Sequence, residues 1–385
     1  MLFGRLPNVV ALAAAVVLVA CGGAEKSGTP WNSVEGGNDE GTGELTGAGE
    51  SDDFGGDGTG AASLTAADDD HSGGNPDDGG PGEEDEHEGE DDGPSSEGGG
   101  DGHAEGGGDD GGPPPADCPQ NCYCEPIDPN ADVSDIEAAF SGGNWAESMV
   151  AVLDRRWPAG AALFVDRQAN DAWFGNFTDT SSWGGLMDSM MTEAHEGTHG
   201  WDYDDALGQS YFGYWMREDL VFQPPKIEGF PRSEIYGMVQ GSATDLYKDL
   251  YLSGTQGTYA WYELLDEGNA YINGMAGIGV VGEFIPWGTS GRDGAVAFLY
   301  YAELYLKRAR LNYPELYQEL QDSEYREMLK VQWLRTHFLM IYAADLHPDL
   351  GIHDDAIEQL LYASENQVEI EMLIGHDLDA SNCLP

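Results

Sequence analysis

Residues 182–201 read SWGGLMDSMMTEAHEGTHGW. Met187, Met191, Ala194 and Thr198 fall along one stripe at helical spacing, so the segment is expected to be a single amphipathic helix. Inside it, His195-Glu196-Gly197-Thr198-His199 has the form H-E-x-x-H. Residues four apart share a helix face, so both imidazoles can aim a ring nitrogen at one point. That pattern suits a divalent metal, with Glu196 beside it as a base for a water molecule. The fold must then bring a third ligand to this helix from elsewhere in the chain.

The 385 residues around this helix divide sharply by composition. Residues 1–20 hold one basic residue, Arg5, then an apolar run over 9–20 that reads as a signal peptide and is too short to span a membrane as a helix. Its end, Leu18-Val19-Ala20-Cys21, resembles a bacterial lipobox, which implies that Cys21 is lipidated. Residue 22 is Gly, not the aspartate that often retains such proteins at an inner membrane. The expected place is the bacterial cell envelope, outside the cytoplasm, at the outer membrane or cell surface. The lipid would be its only membrane contact.

Residues 22–117 carry 28 Asp and Glu against a single Lys26, in a background of Gly, Pro and Ser. Like charge without apolar surface predicts a chain that builds no core. As a flexible tether its 96 residues span roughly 55 Å. His71, His87 and His103 within it read as solvated residues, and its dense carboxylates favour loose Ca²⁺ association over a defined metal site. Residues 118–385 are rich in Trp, Tyr, Leu and Met and form the expected folded domain. This domain is itself strongly acidic, which argues against nucleic acid as a partner and leaves the oligomeric state open.

Beyond Cys21, the cysteines are Cys118, Cys122, Cys124 and Cys383. An even number after a secretory signal predicts two disulfides in one of three connectivities. Three lie at the domain's start and one at its end, so one bridge should join the termini. A zinc knuckle is the rival reading of the same four residues.

Helices are expected over 144–156, 232–252, 259–275, 290–312, 314–346 and 354–375, with Ser290 and Asp293 as a capping pair. The aromatic stretch over 210–222 predicts a small sheet or hairpin. Three acidic residues compete as third ligand: Glu267, Glu234 and Asp205. Glu267 opens Glu267-Gly268-Asn269-Ala270-Tyr271-Ile272. Together with H-E-x-x-H this resembles the gluzincin zinc metallopeptidases, which add a glutamate from a later helix. Tyr stands one position earlier than in that pattern, and the gap from His199 to Glu267 is longer than usual for the family. The spacing from His195 to Asp205 is similar to that of metzincins, but their glycine position is Asp202 here. Gly197 and Gly268 are read as the small residues that let two helices close around one ion.

The resemblance implies an α+β, mainly α, zincin-like domain: an active-site helix, a small β hairpin or sheet, and a helical C-terminal lobe. It implies one Zn²⁺ on His195, His199 and Glu267, Glu196 as base, and a peptide or protein as substrate. Tyr271, His337 and Arg292 are candidate oxyanion donors, and Trp201, Tyr211, Tyr214 and Trp215 candidate cleft residues. The rival is a surface binding lipoprotein whose metal is structural or lost.

Overall fold

A computed structural model describes residues 118–119, 121–286, 288–378, 380 and 383. The signal peptide, Cys21 and the acidic segment with its histidines lie outside the described residues. The helices are α1 (Ser134–Ala139), α2 (Trp145–Arg156), α3 (Pro158–Asn170), α4 (Trp183–Asp205), α5 (Asp245–Tyr251), α6 (Trp261–Gly279), α7 (Asp293–Asn312), α8 (Pro314–Gln321), α9 (Tyr325–Leu346), α10 (Asp354–Leu361) and α11 (Ser364–Ile374). One antiparallel sheet of two strands, β1 (Tyr214–Arg217) and β2 (Leu220–Phe222), follows α4, with a register irregularity between Trp215 and Arg217. The domain is mainly helical. Among the described residues no helix is long and apolar enough to cross a membrane.

The centre of the fold is α6. Trp261 and every residue from Leu264 to Gly279 are buried, as a helix that is apolar on nearly all sides requires. Its first turn is held by the Glu263 carboxylate, which accepts from the N–H of Ala260 at 2.7 Å. Around it pack α4, α7 and α9, with β1 touching both α4 and α6. Outside these, α2 and α3 pair with each other and lean on α4, while α10 and α11 cover α7. The helix carrying H-E-x-x-H starts at Ser182, whose Oγ accepts from the N–H of Gly185.

The crossing of α4 and α6 is made by small residues other than those expected. A Cβ on Gly277 would meet the Met190 carbonyl oxygen at 3.1 Å and the Ala194 Cβ at 3.2 Å. A Cβ on Gly274 would stand 3.1 Å from the Met191 carbonyl oxygen and 3.5 Å from the His195 Cβ. Gly197 instead faces Leu163 and Arg167 on α3, and Gly268 faces Phe298 on α7. The expected close approach is present but is made by a different pair, because the helix phase puts 274 and 277, not 268, against α4. Gly277→Val is expected to cost about 1–3 kcal/mol through overpacking and to lower metal uptake with it. Urea unfolding beside a metal assay reads both, and an unchanged midpoint would refute the tight crossing.

Several expected boundaries shift for local reasons. The helix anticipated over 232–252 is a 3-10 helix, Arg232–Met238, then α5, separated where Gly241 takes φ +72°. The span 314–346 divides into α8 and α9 around Ser323, whose hydroxyl donates to the Leu320 carbonyl. The span 354–375 divides into α10 and α11, and Gly375 closes α11 in the left-handed region. Ser290 and Asp293 form no capping pair; the Asp293 carboxylate accepts from the backbone of Ile352 and His353. The sequence reading omits α1 and α3, the latter opened by Pro158 in its first turn.

The disulfides are Cys118–Cys124 and Cys122–Cys383. The second joins the two ends of the domain across 261 positions, as expected, and the zinc knuckle is excluded because all four sulfurs are consumed.

One buried carboxyl on α7 has no counterpart. Both oxygens of Glu303 are buried without a hydrogen-bond partner. Burial, and after it Glu369 and Glu371, holds its pKa well above the usual carboxylate value of 4.5, with Lys307 opposing. The folded chain therefore keeps a proton that the unfolded chain has released, so stability is lost as pH rises above 4.5. Glu303→Gln, neutral at every pH, is expected to gain stability over the wild type at about pH 8 and little at about pH 4. Urea midpoints at the two pH values check this; a gain of equal size at both would refute it.

Candidate metal centre

The site lies where α4 crosses α6. From α4 come His195 and His199, one turn apart; from α6 comes Glu267. All three are buried, and their ligand atoms lie within 4.8 Å of one another. His195 Nε2 stands 3.2 Å from His199 Nε2, and Glu267 Oε2 is 3.5 Å from His199 Nε2 and 4.0 Å from His195 Nε2. The point equidistant from these atoms is about 2.1 Å from each, the length of a Zn–N or Zn–O bond. Two imidazoles and one carboxylate also form a donor set that a zinc ion accepts. The residues fit the group.

The imidazoles are prepared for that role. His199 Nδ1 is 2.7 Å from Asp266 Oδ2, so the carboxylate fixes the ring and leaves the Nε2 lone pair facing the triad. Burial, with the neighbouring His199, pushes the His195 pKa down to about 3, so this ring stays neutral. Its face is packed edge-on by Tyr271, one turn beyond Glu267, at 4.5 Å between centroids. Burial disfavours ionisation of Glu267, but the hydrogen bond and charge of His199 outweigh it and its pKa is lowered.

Glu196 stands next to the triad. Its Oε1 is buried with no hydrogen-bond partner. Burial raises its pKa to about 7, Glu267 adding to the effect and His199 opposing it. A carboxyl with one buried, unpartnered oxygen, on the same helical turn as His195 and His199, can take a proton from a water held there and release it again. One turn earlier, Glu193 receives the N–H groups of Gly175 and Phe177 and the hydroxyl of Thr178, tying that loop to the active face of α4.

The other candidates are placed elsewhere. Glu234 accepts from Arg308 at 2.7 Å and from the Tyr313 hydroxyl at 2.9 Å. Its place in the 3-10 helix turns it to that ion pair, outside the His–His–Glu group. Asp205, at the end of α4, accepts from Gln223 at 3.0 Å and packs against Gly213. Arg292 is bound to Asp354 and to the His347 carbonyl, and His337 stacks on Trp333. Tyr214 and Trp215 are core residues.

The partner of His199, Asp266, is not singled out in the sequence, and the nearby buried Asp202 does not take that role. Asp202 accepts instead from the N–H of Trp215 at 2.8 Å and from Asn269 at 3.0 Å. The signal was present: Asp266, Asn269 and Asn273 form a polar stripe at helical spacing on an otherwise apolar helix. No family model matches the chain, and neither the curated proteins nor the solved structures contain a significant match.

Proposed function

We propose that the chain is a zinc-dependent metallopeptidase of gluzincin type with a zincin-like crossing of α4 and α6. In this reading lipidated Cys21 and the acidic segment 22–117 hold it at a bacterial surface. The observation that carries the reading is Glu196: a buried carboxyl oxygen without a partner, on the same turn of α4 as two imidazoles that are spaced with a carboxylate for one ion. A purely structural metal has no use for a base at that position.

His195, His199 and Glu267 would hold the ion, which when bound supplies Lewis acidity to a water and to a peptide carbonyl. Glu196 takes the proton from the attacking water and later gives it to the leaving amine, so one carboxyl serves as base and then acid. Asp266 holds the His199 ring in place throughout. The test is metal content per chain together with cleavage of an unfolded protein substrate, with and without a chelator. One zinc per chain and chelator-sensitive cleavage support the reading. Stoichiometric zinc with no hydrolysis would leave a structural metal and sink the peptidase.

A further inference from the structure

The two asparagines of the α6 stripe lead away from the metal centre to the start of the domain. Asn269 Nδ2 donates to Asp202 Oδ2 at 3.0 Å and to the Trp215 carbonyl at 3.0 Å. Asn273 Nδ2 donates to the same carbonyl at 3.1 Å, and its Oδ1 accepts from Arg335 Nη1 of α9 at 2.8 Å. Arg335 Nη2 lies 3.4 Å from the Glu125 carboxylate, which also accepts from the Tyr123 hydroxyl at 2.9 Å. At the other end, Asp202 lies on α4 one turn beyond His199, whose ring Asp266 of α6 holds. Arg335, Asn269, Asn273 and Asp202 have no exposed surface, and Glu125 has 3%.

We propose that this buried chain, running from Glu125 through Arg335, Asn273, Trp215, Asn269 and Asp202, positions His199, so that the disulfide-stapled start of the domain sets the affinity of the metal centre. The proposal rests on the metal reading above. Three features argue for it over plain core packing. An apolar core of similar volume is often as stable as, or more stable than, one with a buried guanidinium, two amides and three carboxyls, so stability alone does not account for these groups. The links from Glu125 to Asp202 are continuous, and the ties to Trp215 clamp β1 between α4 and α6, the two helices that supply all three ligands. Glu125, the far end, follows Cys124 directly, in a stretch with no helix or strand before α1. That stretch is fixed at Glu125 by Cys118–Cys124, Cys122–Cys383 and Arg217, whose Nη1 donates to the Cys124 carbonyl at 3.2 Å, and further on by the N–H of Asp128, which donates to the Arg156 carbonyl at 2.8 Å.

Freeing the stretch removes the counter-charge of Arg335, and the guanidinium must then draw its partners, Asn273 first, out of register. Loss of an outer support of a metal-ligating histidine weakens binding about 10–100-fold. A reduced chain should therefore hold metal poorly, and an oxidised one well.

The test uses the full chain with Zn²⁺ affinity from competition with a chromophoric chelator, and the visible absorption of the Co²⁺ form as a report on ligand geometry. The samples are oxidised wild type, wild type reduced and alkylated, Glu125→Gln and Asn273→Ser. Glu234→Gln, which disturbs contacts with Arg308 and Tyr313 outside this chain of groups, is the control, and near-ultraviolet circular dichroism monitors packing. The expected result is a 10–100-fold loss of affinity with an altered Co²⁺ spectrum in the reduced chain and both chain variants, and wild-type values in the control. Glu125→Gln is isosteric and Asn273→Ser shortens one side chain, breaking its bonds to Trp215 and Arg335, so folded samples remain if reduction unfolds the protein. Wild-type affinity and spectrum in both variants would overturn the proposal while leaving the metal reading standing. No uptake by the oxidised wild type would overturn both.

Discussion

Glu196→Gln is expected to keep its zinc and lose hydrolysis by roughly 10²–10⁴-fold. The substitution preserves the shape of the side chain and removes only its ability to accept and return a proton. None of the three ligand atoms belongs to residue 196, so metal stoichiometry should match the wild type. The variant should also be somewhat more stable, because a neutral amide replaces a carboxyl whose ionised form burial disfavours. Metal analysis, initial rates on an unfolded protein substrate and a urea melt together give the answer. A variant that cleaves at the wild-type rate would remove Glu196 from the chemistry. Loss of metal in the variant would instead make Glu196 part of the binding set.

The second large effect separates two glutamates that the sequence alone leaves in competition. Glu267→Ala should reduce zinc affinity more than the 10–100-fold typical of losing an outer partner, since it removes a donor atom, about 100-fold at the least. Glu234→Ala should leave zinc untouched and cost only about 0–1 kcal/mol, because its ion pair with Arg308 is partly exposed. Equilibrium dialysis of both variants decides the matter, and metal loss in Glu234→Ala with retention in Glu267→Ala would reverse the assignment.

The candidate metal centre was legible because its signals are local. The i, i+4 histidines announce themselves within one helical turn, and Glu267 sits in a short stretch with its own small-residue signature. The mainly helical class, the hairpin after α4 and a bridge between the termini were legible for similar reasons: periodicity, β-branched and aromatic content, and cysteine position. What escaped depends on helix phase between segments far apart in the chain. Gly274 and Gly277 look no different from Gly268 until the rotation of α6 against α4 is known. Asp266 beside Glu267 reads as a second acid until the structure turns it toward His199. The broken helices at 241 and 323 were hidden because the apolar pattern runs on through the breaks, and only backbone geometry interrupts it.

The bridge between Cys122 and Cys383 also decides how the domain carries mechanical load. A pull applied to the two ends of the chain enters at Cys118, reaches Cys122 within a few residues, and crosses directly to Cys383. Residues 125–382, which include every helix and both strands among the described residues, are bypassed by the force. While the bridge is intact, stretching by the ends cannot peel α4 from α6. Once it is cut, the same pull runs through the whole polypeptide, and the crossing that gathers the three ligands becomes part of the loaded path.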